Sequence, residues 1–244
     1  MDPERNKLIR SLFFPMIFVL IIWIIKALEV ILDTSFAGYG MHPMSWKGIP
    51  GILSMPLIHS GWKHLFANSI PLFLLAALLF YSYREIAWKV LILIYLLSGL
   101  WVWFLGEPGS VHIGASGVVY GLAAFLFTSG IIRREKALMA ITLLVAFLYG
   151  GLIWGVFPQF FPKERISWEG HLMGLLAGTI LAVYFRKAGP QRPRHEWEDE
   201  DYDDDDPFSG YHPDDPTAPK PPEPPKPPEP PEIRYHYRGP DTTR

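Results

Sequence analysis

The sequence predicts an all-α membrane protein: a bundle of six transmembrane helices followed by a disordered C-terminal tail. Three observations predict it. Half of the 244 residues are hydrophobic and only 19% are charged, a balance too apolar for a soluble domain of this length. Six apolar runs follow one another, each near the roughly 20 residues that a helix rising about 1.5 Å per residue needs to cross about 30 Å of hydrocarbon. Past residue 188 the composition turns abruptly to Pro, Asp and Glu.

The runs are residues 12–32, 62–81, 86–104, 115–132, 137–157 and 170–185, each bounded by charges, Pro or Gly. The first is too long for the core of a cleavable signal peptide, and no small-residue cleavage site follows it. It reads as an uncleaved signal anchor. The fourth and sixth are short and glycine-rich, as expected of helices buried within a bundle rather than facing lipid. Lys26 lies inside the first run with Glu29 three residues on, which reads as a local pair.

The chain therefore divides into a short cytoplasmic N-terminus (1–11), a membrane core (12–188) and a tail (189–244). Residues 1–188 hold 15 Lys or Arg against 9 Asp or Glu, and residues 189–244 hold 7 against 15. Asp203 to Asp206 and the Lys/Pro/Glu run from Lys220 to Pro231 cannot bury enough apolar surface to offset ordering entropy. They read as a disordered spacer of polyproline II character, open to an unknown cytoplasmic partner. With the N-terminus inside, short cytoplasmic segments carry ten Lys or Arg and outer segments only Lys47, Lys63, Lys163 and Arg165, so both termini are expected in the cytoplasm. The absence of a seventh span and of a targeting presequence points to a bacterial-type cell membrane. No nucleic-acid partner is expected.

The chain has no cysteine, which excludes disulfides, thiolate nucleophiles and iron-sulfur ligation. Polar groups within spans are costly and so are functional candidates. They are few: His59, His64 and Asn68 at the start of the second span, Ser116 and Tyr120 in the fourth, His171 in the sixth. The three spans run in the same direction, so these residues share one depth, towards the outer face.

Ser116 sits in Gly114-Ala-Ser-Gly117 and requires a base within hydrogen-bond reach to act as a nucleophile. Gly117 and Gly121, with Gly170, Gly174 and Gly178, form small-residue stripes at four-residue spacing that let two helices pack closely. His171 shares the face of Gly174 and Gly178, so the packing face that meets the fourth span also carries an imidazole. Tyr120, one turn from Ser116, is placed to fix that imidazole by stacking or a hydrogen bond. His64 and Asn68, four apart on one face, and the Ser116 N–H are candidate donors to an oxyanion. No Asp occurs between Asp33 and Asp199, so the constellation is a Ser-His dyad without a third carboxylate.

Each residue has a plainer reading. A buried serine commonly bonds a carbonyl one turn back, a histidine or asparagine bridges helices, and a tyrosine packs. His59 reads as structural, bonding between loop and helix. His112 reads as a false lead, near the serine but in a loop position facing water.

Taken in order, His59-xxxx-His64-xxx-Asn68, Gly114-Ala-Ser116-Gly117 with Tyr120, and Gly170-His171 with Gly174 resemble the rhomboid family of intramembrane serine proteases. The resemblance covers roughly residues 51–185. It implies a rhomboid-like six-helix fold, Ser116 as nucleophile, His171 as base, His64 and Asn68 at the oxyanion hole, with Gly114 and Tyr120 in support. It implies membrane-protein substrates cut in or beside a transmembrane segment, and no metal or other cofactor. One feature departs from the family pattern: where many members carry Trp-Arg shortly before the first motif histidine, this chain has Trp46-Lys47, thirteen residues ahead of His59. Among competing functions, an aspartyl protease lacks its membrane carboxylates here and a zinc protease its His-Glu-x-x-His helix. A non-catalytic, client-binding relative would be expected to lack the serine or the histidine. A transporter would be expected to show inverted repeats or a charged path, which this chain does not.

Overall fold

The computed structural model describes residues 3–148, 155, 157 and 167–189. The predicted tail past residue 189, and the predicted fifth span past Leu148 apart from residues 155 and 157, lie outside the described residues. By its contacts the chain divides into two units, Met1–Arg192 and Pro193–Arg244, and the described residues all fall in the first.

Among the described residues the fold is helical. In chain order the helices are α1 (Pro3–Ile31), α2 (Gly51–Ser54), α3 (Trp62–Ser82), α4 (Ala87–Leu105), α5 (Ser116–Arg133), α6 (Lys136–Leu148) and α7 (Trp168–Tyr184). Among the described residues, four stretches are long and apolar enough to cross a membrane: Glu4–Ile31, Trp62–Ser82, Ala87–Leu105 and Ser116–Arg133. The helices α6 and α7 stand where the fifth and sixth spans were predicted, at 13 and 17 residues. Helix α1 begins well ahead of the predicted span because Pro3 is suited to a first turn and the Lys, Arg and Glu that follow it are good helix formers.

Residues 32–61, between the first two predicted spans, hold short 3-10 turns at Phe36–Tyr39, Trp46–Gly48 and Met55–Leu57 flanking α2. Backbone bonds stitch this segment to the loop before α5. Met41 and His112 exchange two N–H to carbonyl bonds, each 2.9 Å, and Gly114 N–H donates to Met55 O at 2.8 Å. The Trp103 indole donates to Ser45 O at 2.8 Å. At the other end of the segment Lys26 donates to Glu29 at 2.6 Å and reaches the carbonyls of His59 at 3.2 Å and Ser60 at 3.4 Å. Glu29 accepts the Phe36 N–H at 2.8 Å. The buried pair therefore does more than neutralise two charges in α1: it holds the chain that leads into α3.

The centre of the bundle is filled by Leu65, Leu72, Leu75 and Leu79 of α3, Ile94 of α4, and Leu122, Phe125 and Leu126 of α5, all fully buried. Lipid is as apolar as these side chains, so close packing and internal hydrogen bonds, rather than escape from water, hold such helices together. The closest packing is between α5 and α7. A Cβ placed on Gly174 would stand 1.9 Å from Gly117 O, and one on Gly178 would stand 2.0 Å from Gly121 O. Only glycine permits that approach. At the far end of the pair Arg133, buried at the end of α5, donates to Phe185 O at 3.0 Å and Ala188 O at 2.6 Å.

Candidate active site

Ser116 is the first residue of α5, and His171 lies in the first turn of α7. The glycine contact brings the two helix ends together, and Ser116 Oγ stands 2.9 Å from His171 Nε2. On the other side of the ring Nδ1 is 2.7 Å from Gly155 O. A carbonyl can only accept, so Nδ1 carries the hydrogen and Nε2 presents its lone pair to the Ser116 hydroxyl. This is the tautomer a general base requires. Tyr120 stacks on the ring, with centroids 4.3 Å apart and planes inclined by 11°. His171 is 8% exposed and Ser116 is partly accessible.

Gly114 precedes the serine by two residues, at φ +111°, a left-handed conformation that side chains disfavour. A Cβ there would lie 2.6 Å from His64 Cε1 and 2.7 Å from Nε2, so the missing side chain makes room for the His64 ring. Asn68 is buried and donates one amide hydrogen to the His64 carbonyl at 2.9 Å. The amide has a second hydrogen to offer. The Ala115 N–H donates to His59 Nε2 at 3.4 Å, and His59 and His64 rings meet edge to face at 5.1 Å. His59 thus ties the loop before α3 to the start of α5, as its structural reading expected. Burial, then the charge of His64, pushes its pKa down from 6.5 to about 3.

His112 requires a correction. The sequence reading turned it to water, but it is 3% exposed and bonds at both ring nitrogens, to Ser110 Oγ at 2.7 Å and to Ser167 Oγ at 2.6 Å. The backbone bridge to Met41 turns its side chain inward, which no local pattern announces. Burial lowers its proton affinity, opposed by the carboxylates of Glu169 and Glu107 and reinforced by His42. Sequence reasoning also missed Ser167 and the Gly155 carbonyl. A backbone oxygen carries no side-chain signature, whereas Ser167, four residues ahead of His171, was open to notice.

At the ends of two glycine-packed helices a hydroxyl thus meets the lone pair of an imidazole, a pairing whose chemistry suits nucleophilic attack. The sequence model of the Rhomboid domain family matches residues 43–188. Rv1337 of Mycobacterium tuberculosis is 34% identical over 183 residues, covering 72% of this chain and 75% of its own. ML1171 of Mycobacterium leprae is 30% identical over 182 residues, covering 72% of each. YdcA of Bacillus subtilis, which bears the name of rhomboid protease provisionally, is 31% identical over 150 residues, covering 56% of this chain and 65% of its own. The chain belongs to the rhomboid family, multi-pass membrane proteins that are in general intramembrane serine proteases acting on transmembrane substrates.

Proposed function

We propose that this chain is an intramembrane serine endopeptidase that cuts membrane proteins in or next to a transmembrane segment through the Ser116–His171 dyad. The observation that carries the reading is the 2.9 Å contact of Ser116 Oγ with His171 Nε2 while Nδ1 donates to Gly155 O. In the first step the Ser116 oxygen bonds to the scissile carbonyl carbon as its proton passes to His171 Nε2, and the carbonyl electron pair moves to oxygen. Collapse breaks the C–N bond, and His171 returns the proton to the departing amine. A water, deprotonated by the same nitrogen, then hydrolyses the acyl-enzyme. The oxyanion is met by the Ser116 N–H, which at the start of α5 has no partner within its own helix, with Asn68 and His64 as side-chain donors and Gly114 giving the loop its shape. Tyr120 holds the imidazole plane.

Both termini face the cytoplasm in this reading, the six predicted spans cross the cell membrane, and the site opens towards the outer face, where water reaches it. Substrates arrive laterally from the bilayer as single-pass segments that unwind at the site. The test is cleavage of a transmembrane reporter in proteoliposomes together with labelling by a fluorophosphonate. Wild type should cut and label, Ser116→Ala should do neither, and His171→Ala should not cut. Failure of the wild type to do either across several reporters would favour a client-binding protein without catalysis.

A further inference from the structure

A second polar chain lies beside the dyad, made of the buried His112 between two half-buried serines, Ser110 and Ser167. Its hydrogen positions follow from its partners. Ser110 Oγ–H donates to Glu107 O at 2.6 Å, so towards His112 Nε2, at 2.7 Å, the serine oxygen can only accept. Nε2 therefore carries the hydrogen, and in the neutral ring Nδ1 is a bare acceptor for the Ser167 hydroxyl at 2.6 Å.

The placement of the two ends is symmetrical. His112 stands four residues ahead of Ser116, and Ser167 four residues ahead of His171. Ser167 is the N-cap of α7, and its carbonyl accepts the His171 N–H at 3.1 Å. A serine there ordinarily turns its hydroxyl back to cap its own helix. This one makes no such bond and faces across to His112. Gly170 leaves the room: a Cβ on it would lie 2.6 Å from Ser167 Oγ. The glycine stripes set how closely α5 and α7 pack, but such stripes leave sliding along the axis free. The His112–Ser167 bond is the cross-link that opposes sliding at the level of the dyad.

We propose that His112 is a positioning residue for the reaction, joining the segment that delivers Ser116 to the N-cap that delivers His171 and so holding the axial register at which Oγ faces Nε2. The inference rests on the dyad reading. Its test uses the full chain in proteoliposomes and compares the rate of fluorophosphonate labelling at Ser116, reporter kcat and KM, and thermal midpoint across wild type, His112→Ala, Ser167→Ala, the double variant and His112→Gln. A loosened dyad should lose about 10- to 10²-fold in labelling rate and kcat, with KM little changed. The double variant should lose no more than the worse single one, because both remove one bond. Glutamine, able to accept from Ser167 and donate to Ser110, should recover most of the rate. Ser167→Ala keeps the reasoning testable if His112→Ala does not fold. The proposal is overturned if Ser167→Ala labels at the wild-type rate, if the two losses multiply, or if glutamine restores the thermal midpoint without the rate. A wild type that neither labels nor cuts sinks the dyad reading itself, a distinct outcome from a labelled wild type with indifferent variants.

Discussion

Replacing Gly174 by alanine adds one methyl group at the point where α7 touches α5. The new Cβ would stand 1.9 Å from Gly117 O, 2.8 Å from Gly117 C and 3.0 Å from Gly117 Cα, all backbone atoms that no rotamer change can move aside. To reach even a 3.0 Å contact the helices must part by about 1 Å, on the order of the overpacking that costs about 1–3 kcal/mol in a well-packed core. Gly117 is the neighbour of Ser116, and Gly174 lies one turn from His171, so the separation falls on the dyad itself. The 2.9 Å hydrogen bond between them then stretches beyond useful length, and a misplacement of about 1 Å costs about 10²-fold in rate. Reporter cleavage and fluorophosphonate labelling in proteoliposomes should therefore fall by about two orders of magnitude, with a lowered thermal midpoint. Gly38→Ala is the control, since nothing lies within 4 Å of a Cβ there. Full activity in Gly174→Ala would refute the claim that the glycine contact sets the dyad distance.

Three further outcomes are expected. Tyr120→Phe should keep more activity than Tyr120→Ala, because the stacked ring at 4.3 Å remains; loss of the stack should cost up to about tenfold in labelling rate. Lys26→Met strands the buried Glu29 carboxylate and should lower unfolding free energy by about 3–5 kcal/mol. Adding Glu29→Gln, which removes the stranded charge and keeps an acceptor for the Phe36 N–H, should recover most of it in thermal unfolding. His59 stays neutral in the fold down to about pH 3, whereas the unfolded chain takes up its proton near 6.5. Its contribution is complete above 6.5 and is lost as pH falls towards 3, with a slope of up to about 1.4 kcal/mol per pH unit. Lys26, Glu29 and His64 are its charged and titratable neighbours. The thermal midpoint should thus drop between pH 6.5 and 4, and His59→Gln should flatten that drop.

The placement of the long helices was legible because hydrocarbon thickness demands a length, and Arg84-Glu85 and Arg133-Arg134 mark where it ends. Helix α1 ran past its predicted start because a membrane boundary is not a helix boundary: charged residues leave the bilayer without leaving the helix. The approach of Ser116 to His171 was legible in part, as glycines at four-residue spacing on two runs let the helices close up and His171 shares their face, though they leave the axial register open. Residues 32–61 were not legible, since their turns are held by bonds to residues far along the chain, such as Met41 to His112.

By itself, then, the sequence determined which segments suit a membrane, which polar residues lie where lipid would exclude them, and which helix faces are bare enough to meet. Those are properties of composition and period, complete within a few turns of helix. Tertiary structure alone decided the imidazole tautomer, through the Gly155 carbonyl, and turned His112 from solvent to a buried bridge onto Ser167. Hydrogen bonds are directional and short, and their partners here come from chain segments 16 and 55 residues apart, so no local pattern could declare them.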